Sequence, residues 1–163
     1  MYFQQSDLLR GMGNDFVKEF MGLTMKESHK KGYLFFRGGD RAKYFYILLK
    51  GNVRISIGEA GHTVSTVDRP GEVFGWSSLV GREVYSASAE CKESTKVLKI
   101  DVAMLQKTLE KDPASGLIFF QHLAGTLGNR LLQCYEMISG VSQAEIHPSF
   151  GTGQVLESEE TIA

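Results

Sequence analysis

Tyr44-Phe45-Tyr46-Ile47-Leu48-Leu49, the turn Lys50-Gly51-Asn52, and Val53-Arg54-Ile55-Ser56-Ile57 read as two strands joined by a tight connection. In the second run Val53, Ile55 and Ile57 alternate with Arg54 and Ser56, the period-two pattern of a half-buried strand. Gly58-Glu59-Ala60-Gly61 then turns the chain onto His62 to Val67, and Arg69-Pro70-Gly71-Glu72 turns it again into Val73-Phe74-Gly75-Trp76-Ser77-Ser78-Leu79. Upstream, Gly32 to Phe36 supplies a strand ahead of Arg37-Gly38-Gly39-Asp40; downstream, Tyr85 to Cys91 and Lys96 to Ile100 supply two more. Short strands at this rhythm, rich in aromatic and β-branched residues, predict a rolled antiparallel architecture rather than alternating βαβ units.

The flanks are helical. Leu8, Leu9, Phe16, Val17, Phe20, Met21 and Leu23 recur at helical spacings over Ser6 to Glu27, broken by Gly11, Gly13 and Gly22. Val102 to Lys111 predicts a helix, Asp112-Pro113 a turn with proline in the first helical position, and Ala114 to about Ser139 a long helix. On that helix Phe120, Leu123, Leu127, Leu131, Cys134, Tyr135 and Ile138 form an apolar stripe longer than a small roll needs. Leu117 to Phe120 is expected to pack on the roll. Leu127, Leu131, Cys134, Tyr135 and Ile138 are expected to meet a second copy, giving a homodimer. The organisation expected is a helical segment over 1–28, a β-roll over 29–101, helices over 102–140 and a flexible tail over 141–163.

The chain has 163 residues, a net charge of −1 and 18 Gly against 3 Pro. That length suits one domain with a real core, and the glycine count suits a turn-rich β fold. The charge balance gives no global attraction to nucleic acid or an anionic membrane. Cys91 and Cys134 lack metal or thiol-redox spacing, which predicts a reducing, cytoplasmic setting. No apolar run is long enough for a membrane span. His29, His62, His122 and His147 are scattered without paired spacing, so neither a metal site nor an enzyme is expected.

The arrangement from Lys31 to Ile138 resembles the cyclic-nucleotide-binding domain of the Crp/Fnr superfamily. Gly32 to Phe36 with Gly39-Asp40 is similar to the family's opening strand and turn, and Tyr46-Ile47-Leu48-Leu49-Lys50-Gly51-Asn52-Val53 to its next motif. Gly71-Glu72-Val73-Phe74-Gly75, continuing through Ser77, Ser78 and Leu79, is similar to the phosphate-binding cassette. The resemblance implies a mainly β domain, a double-stranded β-helix or jelly-roll-like β-roll, with flanking helices and a long C-terminal dimerisation helix. It also implies a regulatory, non-enzymatic role in which glycine amides receive an anion such as cAMP, cGMP or another small anion.

Two substitutions oppose ordinary nucleotide binding. Where the family carries a Glu for the ribose and an Arg for the phosphate, this chain carries Trp76 and Tyr85. Indole is a donor only, and a neutral phenol lacks the guanidinium fork. Losing a buried charge contact costs on the order of 2–5 kcal/mol, a fall of about tens- to thousands-fold in affinity. Arg82 is either a replacement clamp or a solvated loop cation, and Trp76 is either a plug or a stacking face. Ser77, Ser78 and Ser86 are candidate donors to the anion, and Cys134 and Tyr135 match the family's base contacts on the long helix. Family transcription factors continue into a DNA-reading module of about eighty residues; only a short tail follows here, so no direct DNA binding is expected. Two alternatives stand beside the sensor: a ligand-free interaction scaffold, and a truncated regulator whose output module is absent.

Overall fold

In a computed structural model, the structure describes residues 7–141. The terminal stretches, including most of the expected tail and His147, lie outside the described residues. A 3₁₀ turn at Asp7–Leu9 and helix α1 (Asn14–Gly22) lead into strand β1 (Thr24–His29). Helical spacing over Ser6 to Glu27 predicts helix at Thr24–Glu27, and the structure has strand there instead. The partner of β1 explains the difference: β1 runs antiparallel to β8 (Thr95–Asp101) from Thr24↔Ile100 to His29↔Thr95, a distant pairing that no local pattern announces.

The strands β2 (Leu34–Phe36), β3 (Tyr44–Lys50), β4 (Val53–Ile57), β5 (His62–Val67), β6 (Val73–Phe74), β7 (Ser88–Cys91) and β8 form two four-stranded sheets. One has the order β1-β8-β3-β6, the other β2-β7-β4-β5, and the strand pairings are antiparallel. Period-two alternation gives each face of the first sheet its own task. Tyr46, Leu48, Phe74 and Val97 face the second sheet's Phe36, Val53, Val67 and Ala89. Phe45, Ile47, Leu98 and Ile100 point the other way, where Phe45 meets Phe119 with ring centroids 6.4 Å apart and Phe119 meets Phe20 at 6.3 Å. The chain thus buries an aromatic layer on both faces of one sheet.

The Lys50-Gly51-Asn52 connection depends on its glycine. Gly51 has φ of 113°, and a Cβ there would lie 2.6–2.8 Å from Thr95 and the Ser94 carbonyl. Only glycine fits.

Helix α2 (Val102–Lys111) is capped by Asp101, whose carboxylate accepts from the Met104 amide at 3.1 Å. Helix α3 (Pro113–Val141) starts at the proline, with Asp112 accepting from the Ser115 amide and hydroxyl at 3.1 and 2.6 Å. Those bonds hold the Asp112 carboxyl below its usual range. The chain separates into two compact units at Gly125/Thr126. Within the first, Phe119 and Leu123 are the large apolar side chains of α3 that are buried, while Leu117 is 62% exposed. Within the expected Leu117 to Phe120 stretch it is Phe119 that packs on the roll, against Phe45, and Leu123 one turn on is also buried. In the second, Leu131 and Ile138 are 50% and 60% exposed, and Cys134 and Tyr135 are also exposed. No described helix is long and apolar enough to cross a membrane.

Candidate functional site

Residues 71–86 form a turn, the two-residue strand β6, a 3₁₀ turn over Trp76–Val80 and a return segment to β7. Gly75 sits at φ 74°, ψ 26°, and a Cβ there would approach the Tyr44 carbonyl and the Tyr46 and Phe36 rings to 3.1–3.2 Å. Left-handed backbone and close packing together require glycine.

The amides of the opening turn serve the protein's own backbone. Gly71 donates to the Leu48 carbonyl at 2.8 Å, and Glu72 to the Arg69 carbonyl at 3.1 Å. The Glu72 carboxylate closes the same turn by accepting from the Asp68 and Arg69 amides at 3.0 and 2.9 Å. Val73 and Phe74 pair with Ile47 and Tyr46 and are buried. The Gly71 and Glu72 amides are thus bonded within the protein.

Tyr85 decides the character of the return segment. It is 4% exposed, and its ring stacks on Phe36 with centroids 3.7 Å apart and planes 11° apart. Its hydroxyl donates to the Tyr44 carbonyl at 2.7 Å and accepts from the Tyr44 amide at 3.0 Å. Burial pushes the phenol's pKa up, so it stays neutral. Further bonds lace this segment to residues 39–42: Gly39 to Tyr85 O, Tyr85 to Asp40 O and Ala42 to Glu83 O, each at 2.9 Å.

The remaining candidates divide by exposure. Ser77 is buried, and its Oγ accepts from the Ser86 amide at 3.4 Å. The Ser78 hydroxyl is buried without a hydrogen-bond partner among the described residues. Trp76 is half-buried. Arg82 is exposed, with its amide, not its guanidinium, bonded to Ser77 O at 3.1 Å. Cys134 and Tyr135 belong to the second unit.

The pattern of the cyclic nucleotide-binding domain matches residues 26–112, more than half of the chain. The chain belongs to the cyclic nucleotide-binding domain family. A Geobacter metallireducens GS-15 structure described as a cyclic nucleotide-binding protein is 26% identical, with a TM-score of 0.69 over 76% of this chain and 91% of that one. A cyclic nucleotide-binding domain from Methylobacillus flagellatus KT shares the fold at a TM-score of 0.76 and 19% identity, covering 90% of this chain and 86% of the other. Catabolite activator protein of Thermus thermophilus shares it at 0.67 and 24% identity, over 83% of this chain and 63% of that chain. Human cGMP-dependent protein kinase 2 is 27% identical over 97 residues, 57% of this chain but 13% of the kinase. The expected β-roll and membership of the cyclic nucleotide-binding domain family are thereby established.

One feature of this cyclic nucleotide-binding domain escaped the sequence reading. A cavity of about 770 Å³ opens on the second sheet, and its lining includes Arg37, Arg54, Ser56, Ser88 and Glu90. Register places Arg54, Glu90 and Leu34 on one face and Ile55, Ala89 and Phe36 on the other, so the cavity lies opposite the aromatic core. Of the sequence-predicted residues, Tyr85 and Ser86 line it; the Gly71–Ser78 run and Arg82 do not. The alternation of Arg54 and Ser56 was the one available signal, and it reads equally well as a solvated strand face.

Proposed function

We propose that this chain is a non-enzymatic regulatory domain of Crp/Fnr type that acts as a homodimer through α3 and senses a small anion. In this reading a cyclic nucleotide is not held in the family's usual manner. The observation that carries this is Tyr85, committed to Phe36 by stacking and to Tyr44 by two hydrogen bonds. A guanidinium that closes on a phosphate must be free to turn toward it. This phenol is part of the core, and Gly71 and Glu72 already spend their amides. cAMP and cGMP lose their main anchor.

The dimer reading draws on the pattern of α3. Leu127, Leu131, Cys134 and Ile138 follow one another at steps of four, three and four, with Tyr135 beside Cys134, the spacing of a coiled-coil seam. Leu131 and Ile138 are exposed in the single chain, so a second copy of α3 gives them a surface to bury against. A cytoplasmic setting fits free, widely spaced cysteines.

The ligand-free scaffold remains as the second reading, supported by the same buried Tyr85. Titration calorimetry with cAMP, cGMP and inorganic phosphate, alongside light scattering of the eluted protein, separates them. The sensor predicts a dimer, no micromolar cyclic-nucleotide affinity and a measurable response to an oxyanion. The scaffold predicts a dimer that answers to none. Micromolar cAMP affinity, or a monomer, overturns the proposal.

A further inference from the structure

The geometry points to the cavity on the Arg54–Glu90 face of the second sheet as the binding site for the small anion, apart from the Gly71–Ser78 run of the cassette and sharing only Tyr85 and Ser86 with it. This rests on the reading of the chain as a small-anion sensor and adds its location and chemistry. The ligand class is a phosphate- or carboxylate-bearing small molecule that also carries hydroxyl or amino groups.

Hydrogen-bond donors gather at this cavity. Arg54 is paired through Nη2 with Glu90, but its Nε–H is buried with no partner among the described residues. An orphaned donor on a cation is costly to bury and is satisfied when an acceptor arrives. Arg37 lines the same space, is exposed, and its guanidinium has no ion pair or hydrogen bond among the described residues. Ser56 and Ser88 stand opposite each other in register and both line the cavity. Ser56 is only 7% exposed. Ser88 accepts from the Gly38 amide at 3.0 Å, which leaves its own O–H to donate.

Free donors rather than net charge favour an oxyanion: Arg54 is paired with Glu90, and Arg37 and Glu59 also line the cavity, so its ionised groups balance while the Arg54 Nε–H and the Arg37 guanidinium keep unused donors. A guanidinium, an Nε–H and two hydroxyls make a donor set suited to an oxyanion. Glu59, on the β4–β5 turn, also lines the cavity and is an acceptor suited to ligand hydroxyl or amino groups. A volume of about 770 Å³ admits a molecule larger than inorganic phosphate.

The test uses the whole chain, isotopically labelled, titrated at constant ionic strength with inorganic phosphate, citrate and glucose 6-phosphate. Amide shifts are followed by NMR and affinity by calorimetry. The expected result is saturable binding of at least one probe, with shifts concentrated at Arg37–Gly39, Ser56 and Ser86–Ser88. Arg37→Gln is expected to weaken it about ten- to a hundred-fold and Arg37→Lys by less. Lys107→Gln, which removes an equal charge from exposed α2, is expected to change it less than about twofold. Shifts confined to Gly75–Ser78, or an affinity insensitive to Arg37→Gln, overturn this site while leaving the anion sensor standing. No saturable response to any probe overturns both.

Discussion

Removing one oxygen from Tyr85 tests whether this side chain is structural. Tyr85→Phe keeps the stack on Phe36 and deletes only the hydroxyl that bridges the Tyr44 amide and carbonyl at 3.0 and 2.7 Å. Each neutral hydrogen bond contributes about 1 kcal/mol net, and a donor left unsatisfied in the interior costs about 1–3 kcal/mol. Tyr44 is half-buried, so water restores part of the loss, and the expected destabilisation is about 1.5–3 kcal/mol. With a urea m-value of about 1–3 kcal/mol/M, the unfolding midpoint falls by about 1 M while the slope stays unchanged. The assay is equilibrium urea unfolding followed by tryptophan fluorescence and circular dichroism, whose coincidence checks two-state behaviour. A midpoint shift below about 0.2 M would place the hydroxyl in solvent and refute Tyr85 as a fixed part of the core.

Gly75→Ala, which combines a left-handed φ with approaches of 3.1 Å, is expected to lose about 2–4 kcal/mol in the same assay. Gly51→Ala is expected to lose more, because its approaches of 2.6–2.8 Å include backbone. Burial alone would raise the Glu27 pKa, but hydrogen bonds from His29 and Lys99, with their charges, bring it below the ordinary value. The sign follows: its stabilisation is present above the ordinary glutamate pKa, about 4.3, and is lost as pH falls through the lower folded value. Glu27→Gln should therefore flatten the acid limb of a Tm-against-pH curve, and an unaltered limb would remove Glu27 from its cause. Mild oxidation should link two chains through Cys134, since a parallel seam brings the two copies within the roughly 4.4–6.8 Å Cα spacing that a disulfide needs. Leu131→Lys should yield a monomer by light scattering; a dimer that persists would move the interface off α3.

Much of the fold was legible because its signals were local. Val102 to Lys111, followed by the Asp112-Pro113 turn, forms α2 as read, and the structure adds the Asp101 cap at its start. The run Val53–Ile57 gave β4, although the burial does not alternate to its end: Ser56 is buried and Ile57 is exposed. β1 was missed because Thr24-Met25-Lys26-Glu27-Ser28-His29 becomes a strand through β8 rather than through a pattern of its own. The site was less legible for a related reason. Sequence showed that Tyr85 lacks a guanidinium, yet not that its ring and hydroxyl had found Phe36 and Tyr44. Arg37, Arg54 and Ser88 are brought to one cavity by register across β2, β7 and β4, which no single window contains.

These placements constrain how a signal can start. A ligand shifts a conformational equilibrium only by the difference in its affinity for the two states. The cassette offers little such difference, because Tyr85 and the turn amides are bonded inside the protein before any ligand arrives. The cavity on the far face is mechanically joined to the same segment: Gly38 donates to Ser88, and Gly39 donates to the Tyr85 carbonyl. An anion drawing Arg37 toward Arg54 thus acts on the backbone that carries Tyr85. The path from charge to cassette then runs through hydrogen bonds of the Arg37-Gly38-Gly39 loop rather than through an arginine of the cassette itself. Lengthening that loop by one glycine after Gly38 should therefore uncouple anion binding from any change at Tyr85 while leaving Arg37 in place. Persistence of the Tyr85 amide shift in that variant would mean that the two faces communicate by another route.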